Sequence, residues 1–187
     1  MQNCYSFSVF NKYSQNGICQ ALNEYFPNKI KPVLICVGSD LVLGDSLGPL
    51  VGTLLKEKGV DAYIYGTLNT PVTAKEISTA KLQITKTHPN SIMVAIDAAV
   101  GDPADVGIIR VINQGLKPGL GVNKNLDTLG NISIIGVVAS RSDNNYNLFN
   151  LTRLNLVYTM ANKIANAITD FISLSTYDDY GTNLGCI

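Results

Sequence analysis

The run Pro32-Val33-Leu34-Ile35-Cys36-Val37, closed by Gly38, constrains this chain more than any other stretch. It is apolar throughout, short, and rich in branched side chains, which is how a β-strand buried on both faces reads. Such a strand belongs inside a parallel sheet, and neighbouring parallel strands must be joined by crossovers, usually helices. The sequence supplies them. Leu47, Leu50, Val51, Leu54 and Leu55 recur at spacings of three and four, which lines one face of a helix. Lys56 and Lys58 suit the negative end of that helix, and Gly59 supplies its stop.

The alternation then repeats. Val60 to Tyr65 reads as a second strand. Thr70-Pro71 opens a second helix, with Thr73-x-x-Glu76 as a capping box, running to about Thr87 before Pro89. Ser91 to Asp97 is the third strand, so the pattern is β-α-β-α-β. Gly107 to Ile112 is a fourth strand. The link before it, with Gly101, Asp102 and Pro103, is too short for a parallel crossover, so that strand is expected antiparallel or at an edge. Asn131 to Ala139 is a fifth strand. Leu151, Leu154, Tyr158, Ala161, Ala165, Ile168 and Ile172 stripe a final helix. Residues 1–30 read as an N-terminal lead-in with a short helix from Ile18 to Phe26. Residues 31–174 read as one α/β domain and 175–187 as a flexible tail.

Bulk properties narrow the function. A chain of 187 residues suits one domain. Basic and acidic residues balance, 14 against 14, so no global field draws it to nucleic acid or an anionic membrane. No apolar run approaches the roughly 18 residues of a membrane span. No basic segment followed by an apolar one opens the chain, so a cytoplasmic location is expected. Cys4, Cys19, Cys36 and Cys186 form no C-x-x-C pair, which argues against a zinc ribbon and for reduced thiols.

Two acidic residues follow apolar runs. Asp45 lies in Gly44-Asp45-Ser46-Leu47-Gly48-Pro49, and Asp97 closes Ile92-Met93-Val94-Ala95-Ile96-Asp97. In a parallel sheet both would project from the carboxyl rim, where open α/β folds bind ligands. Pro49 bears on Asp45. If Asp45 were the N-cap, Pro49 would be the first residue required to donate back into the helix, and proline has no N–H. Ser46 or a later residue is the expected cap, which leaves the Asp45 carboxylate available. The plain alternatives stay open: a helix-start or loop carboxylate for Asp45, and a turn-forming aspartate for Asp97.

The candidate substrate-binding residues are Asp40, close to the same rim, and Gly119, Gly121 and Lys124 in a glycine-rich loop whose N–H groups could face a carbonyl or anion. Lys117 and Lys124 could equally face solvent, and Arg153 could pair with a rim carboxylate or stay exposed. Asp102 and Asp105 read as turn formers and His88 as a loop residue without chemistry. Ser140 and Ser142 have no partner histidine for a triad, and no Walker lysine follows the glycines.

Five ordered elements carry a family resemblance over about residues 32–172: Ile35-Cys36-Val37-Gly38-Ser39-Asp40 with Gly44-Asp45-Ser46-Leu47-Gly48-Pro49; Tyr65-Gly66-Thr67-Leu68-Asn69-Thr70-Pro71-Val72; Ala95-Ile96-Asp97-Ala98; Lys117-Pro118-Gly119-Leu120-Gly121-Val122-Asn123-Lys124; and Thr152-Arg153-Leu154. With them the chain resembles the sporulation protein family of the YyaC type (DUF1256). It is more distantly similar to the spore germination protease and the hydrogenase maturation endopeptidases. The resemblance implies a three-layer α/β/α domain with a mostly parallel central sheet, of the hydrogenase-maturation-protease-like (phosphorylase/hydrolase-like) kind. It implies a peptidase that cleaves spore proteins in the forespore or spore core, with Asp45 and Asp97 as its catalytic pair. No cofactor is expected, although a divalent metal at Asp45 and Asp97 would suit the same donors. A protein or peptide substrate is expected, and the oligomeric state is left open.

The chain also departs from these relatives. The maturation enzymes use a histidine as third nickel ligand, and none stands at the matching place here. Leu41-Val42-Leu43 replaces a stretch that usually carries a basic residue, and Ser140 to Tyr146 is more polar than its counterpart.

Overall fold

Strand β2 (Val33–Cys36) forms at the apolar run and is buried along its whole length. In the computed structural model, which describes residues 3–26, 30–117, 128–141 and 152–181, it lies inside a six-stranded sheet. The other strands are β1 (Cys4–Ser8), β3 (Tyr63–Tyr65), β4 (Met93–Gly101), β5 (Ile108–Ile112) and β6 (Ile132–Ser140). Their order is β1-β5-β6-β4-β2-β3. Strands β3, β2, β4 and β6 are mutually parallel, and β5 runs antiparallel to both β6 and β1. The helices are α1 (Ser14–Tyr25), α2 (Leu47–Glu57), α3 (Ile77–Thr87) and α4 (Leu154–Gly181). The three-layer, mostly parallel α/β/α expectation holds.

Among the described residues, the two faces of the sheet are covered unequally. Leu34, Cys36, Val94, Ile96, Val111 and Ile134 point to one side, where they share a large core with α1, α2 and α4. Val33, Ile35, Met93 and Ala95 point to the other, where a smaller cluster forms with Ile77 and Ile84 of α3 and with Leu116 and Leu129.

Some expectations need correction. The segment read as a lead-in carries β1 and α1. Tyr5 and Phe7 alternate with exposed Ser6, so β1 turns its aromatic side chains towards α1. The Tyr5 ring lies 5.8 Å from Tyr25, and its hydroxyl donates to Glu24 at 2.6 Å. Ile18 and Leu22 of α1 are fully buried. Strand β5 is antiparallel as expected but not at an edge, because β1 covers it. Helix α3 starts at Ile77 rather than Thr70, since the Glu76 carboxylate closes a turn on the Thr73 N–H at 2.8 Å ahead of the helix. Helix α4 runs on to Gly181, into the stretch expected to be a tail.

Candidate active site

The turn from β2 into α2 positions Asp45. Gly38 has φ +140, which a side chain would strain, and a Cβ there would strike the Asp45 carbonyl oxygen. Gly48, the second residue of α2, lies directly on Val37, and a Cβ at Gly48 would strike the Val37 carbonyl oxygen. Gly52, on the same helix face, meets Gly66 in the same way. These glycines bring α2 against the end of β2 at backbone distance. The loop is thereby folded over the carboxyl end of the sheet, and Asp45 sits in a short 3₁₀ turn, Gly44–Ser46.

Ser46, not Asp45, is the N-cap residue of α2. The Ser46 hydroxyl turns back to the Leu43 carbonyl at 2.7 Å, and the Ser39 N–H donates to the Asp45 carbonyl at 3.1 Å. The capping argument from Pro49 therefore holds, and the Asp45 carboxyl has no capping role. It is half-buried, and that burial pushes its pKa up, while the Ser39 N–H draws it down.

Asp97 is placed by register. Cys36, the last residue of β2, stands opposite Ile96, and the Val37 N–H donates to the Ile96 carbonyl at 2.8 Å. Asp97 is thus the first residue of β4 beyond the end of β2. On its other side β4 stays paired with β6, from Asp97 opposite Ile135 to Gly101 opposite Ser140. Alternation puts Asp97 on the face of Met93 and Ala95, the thinly covered one. Its Oδ1 accepts the Ala98 N–H at 2.8 Å, so the local bond of a turn-forming aspartate is present. That bond stabilises the carboxylate but does not prevail. Burial pushes the Asp97 carboxyl up to about 8, and the negative charge of Asp45 adds to the rise. Asp45 and Asp97 therefore lie at the same rim, where the charge of Asp45 acts on Asp97.

The remaining candidates separate. Asp40 is exposed on the loop after β2. Lys117 and Arg153 are exposed too, and no ion pair of either occurs among the described residues. Gly119, Gly121 and Lys124 lie outside the described residues, as does Ser142. Asp105 sits in the turn Pro103–Asp105 and pairs with Arg110 at 2.7 Å. His88 lies at the amino end of the strands, with its ring centroid 4.0 Å from that of Tyr63 and its Nε2 2.8 Å from the Tyr65 hydroxyl. It stands far from the aspartate rim. Among the described residues no three His, Cys, Asp or Glu side chains gather as a metal site. Two carboxylates alone would suit a hard cation with water completing its shell. No helix of the described residues is long and apolar enough to cross a membrane.

Sequence reasoning did not find Thr152 as an isolated buried hydroxyl. Its Oγ1 is buried without a hydrogen-bond partner among the described residues. The residue stood within a quoted motif, but only packing reveals the missing partner.

Comparison with known proteins sets this rim in context. Residues 7–167 match the family described as protein of unknown function DUF1256, and the chain belongs to that family. It is 40% identical over 138 residues to the uncharacterized protein YyaC of Bacillus subtilis (strain 168), covering 73% of this chain and 67% of that protein. Among solved structures it is similar to the NiFe hydrogenase maturation protease HycI from Thermococcus kodakarensis KOD1. The TM-score is 0.54 at 19% identity, over 81% of this chain and 98% of that one. At that identity the likeness shows a shared fold.

Proposed function

We propose that this DUF1256-family chain, built on the fold of a maturation protease, is a peptidase that hydrolyses peptide bonds with Asp45 and Asp97. The observation that carries the reading is the placement of Asp97 by register at the rim that also holds Asp45, where burial, with the Asp45 charge added, raises its carboxyl to about 8. At neutral pH Asp97 is the acid of the pair and Asp45, half in solvent, the base. Asp45 takes a proton from water as the water adds to the peptide carbonyl. Asp97 donates a hydrogen bond to the carbonyl oxygen and then supplies a proton as the amine leaves. On the family resemblance we assign the substrate to spore proteins and the enzyme to the forespore or spore core.

The test is incubation of the purified protein with spore-core protein extract, with Asp45→Asn and Asp97→Asn as controls. Cleavage by the wild type and its loss in each variant is the expected result. Cleavage retained by both variants would overturn the reading. A second reading, a non-catalytic binding module on the same fold, is favoured by Leu41. This large apolar side chain is 88% exposed on the loop leading to Asp45. Capture of a spore protein without cleavage, by wild type and variants alike, would select it.

A metal-assisted form of the hydrolase would place a divalent cation on the same two carboxylates. Loss of cleavage with a chelator and its recovery with manganese would select that form; unchanged cleavage is expected for the metal-free pair.

A further inference from the structure

Among the described residues the sheet ends in β1 on one side and β3 on the other, and the two edges differ. Strand β3 has only three residues. Lys31 stands beside it, paired with Asp61 and 4.8 Å above the Tyr63 ring. A short strand guarded by charge is how an edge is kept from pairing with other chains. Strand β1, Cys4-Tyr5-Ser6-Phe7-Ser8, has no charge, no proline and no bulge.

The register shows which backbone groups of β1 face outwards. The Val9 N–H donates to the Gly107 carbonyl at 2.7 Å and the Asn113 N–H to the Asn3 carbonyl at 3.0 Å, so the odd-numbered residues bond to β5. Cys4, Ser6 and Ser8 therefore turn their N–H and C=O groups away from the sheet. The Ser8 carbonyl is taken by the Asn11 N–H and the Ser14 hydroxyl. The other outward groups have no partner among the described residues, and Ser6 is exposed.

The side chains identify the partner. Tyr5 and Phe7 are half-buried beneath α1, with ring centroids 6.4 Å apart. The Phe7 ring lies on Gly17 and the Tyr5 hydroxyl is held by Glu24, so both rings are fixed in place. Around Ser6 the strand reads alike in both directions, with small residues at 4, 6 and 8 and aromatic ones at 5 and 7. We propose that two copies of this chain pair antiparallel through β1, about a two-fold axis at Ser6, and join their sheets into one. Ser6 exchanges both backbone bonds with the partner's Ser6, and the Ser8 N–H donates to the partner's Cys4 carbonyl. Tyr5 then stands opposite the partner's Phe7, a favourable cross-strand aromatic pair. Helix α1, over β1, has Glu24 as its one charged side chain, already bonded to Tyr5, so the helices brought alongside carry little like charge.

Sedimentation equilibrium over a range of concentrations, with amide hydrogen exchange by NMR, tests the pairing. The wild type is expected to form dimers as concentration rises. The Ser6 amide should become protected in step with dimer formation, whereas the Phe7 amide, bonded to β5, should be protected throughout. Ser6→Pro should be monomeric without losing a bond to β5, because the Ser6 N–H points outwards. Ser6→Lys sets two like charges opposite each other at the axis and should raise the dissociation constant about tenfold or more. Its melting temperature, taken at a dilution where the wild type is monomeric, should be unchanged, so this variant decides the matter even where Ser6→Pro fails to fold. A wild type that stays monomeric at the highest concentration, a dimer whose Ser6 amide exchanges freely, or unchanged affinity in Ser6→Lys would each overturn the proposal.

Discussion

The two faces of the sheet divide the work of this molecule. Three helices press on one face and bury a continuous core that includes Leu34, Ile96, Leu47 and Val157. Among the described residues, one helix and the Leu116–Leu129 bridge cover part of the other, and Asp97 projects from that side. A carboxyl under three helices would have no room for a substrate; one in open water would titrate normally. At Asp97 the face with the smaller described core is dry enough to raise a carboxyl pKa. The comparison predicts that changes at the carboxyl rim of the thin face alter chemistry, and changes on the thick face alter stability.

The largest expected effect falls on chemistry alone. Asp97→Asn and Asp45→Asn should each lower peptide cleavage by about 10³-fold or more while leaving circular dichroism unchanged. Cleavage assays on folded variants decide this, and a loss no greater than that of a thick-face substitution would erase the contrast between the faces.

Next comes the joint that connects the faces. Gly48→Ala places a methyl against the Val37 carbonyl oxygen, a backbone atom that no rotamer change can move. A destabilisation of about 3 kcal/mol or more is expected in urea unfolding. Any folded remainder should cleave poorly, because the Asp45 turn depends on this contact. The cores can then be compared directly. Leu47→Ala, fully buried on the thick face, should cost about 3–5 kcal/mol. Ile84→Ala on α3, buried in the smaller cluster, should cost about 2–3 kcal/mol, because α3 can settle into the space.

Much of this arrangement is legible in the sequence. The apolar runs of β2 and β4 and the three-and-four spacing of α2 require a parallel sheet, and an acidic residue just past each run predicts a rim. Pro49 correctly removes Asp45 from the cap. Strand β1 is misread because Tyr5 and Phe7 alternate with serines inside a polar stretch, and their burial depends on α1 and β5, remote in sequence. The start of α3 is misread because the Thr73–Glu76 pair resembles a cap but closes a separate turn. Thr152 is illegible for a different reason: nothing local distinguishes a threonine whose hydroxyl finds a partner from one whose hydroxyl does not.

Titration sharpens the contrast further. The Asp97 carboxyl is raised from 3.8 to about 8 on folding, so between those values the folded chain keeps a proton that the unfolded chain has released. Stability therefore falls as pH rises from about 4 to about 8. Asp97→Asn should abolish most of that slope and stabilise the protein at pH 8 by about 2 kcal/mol, measured by thermal unfolding across pH. Cleavage should fall above about pH 8 as Asp97 ionises, and below the raised pKa of Asp45 as the base is protonated.

The smallest effect is expected at the other end of the thin face. His88 stacks on Tyr63 and meets the Tyr65 hydroxyl, at the amino end of the strands. His88→Gln removes the ring contact and can keep a hydrogen bond to Tyr65, so a loss of about 0.5–1 kcal/mol is expected. Neither kcat nor its pH profile should change, because the residue lies on the right face at the wrong end. Parallel strands make those ends inequivalent: the loops that carry Asp45 and follow Asp97 all leave from the carboxyl end. If His88→Gln shifted the pH profile of cleavage, the raised carboxyl at Asp97 would not be the group that sets it, and the division between the two ends would fail along with the assignment of acid and base.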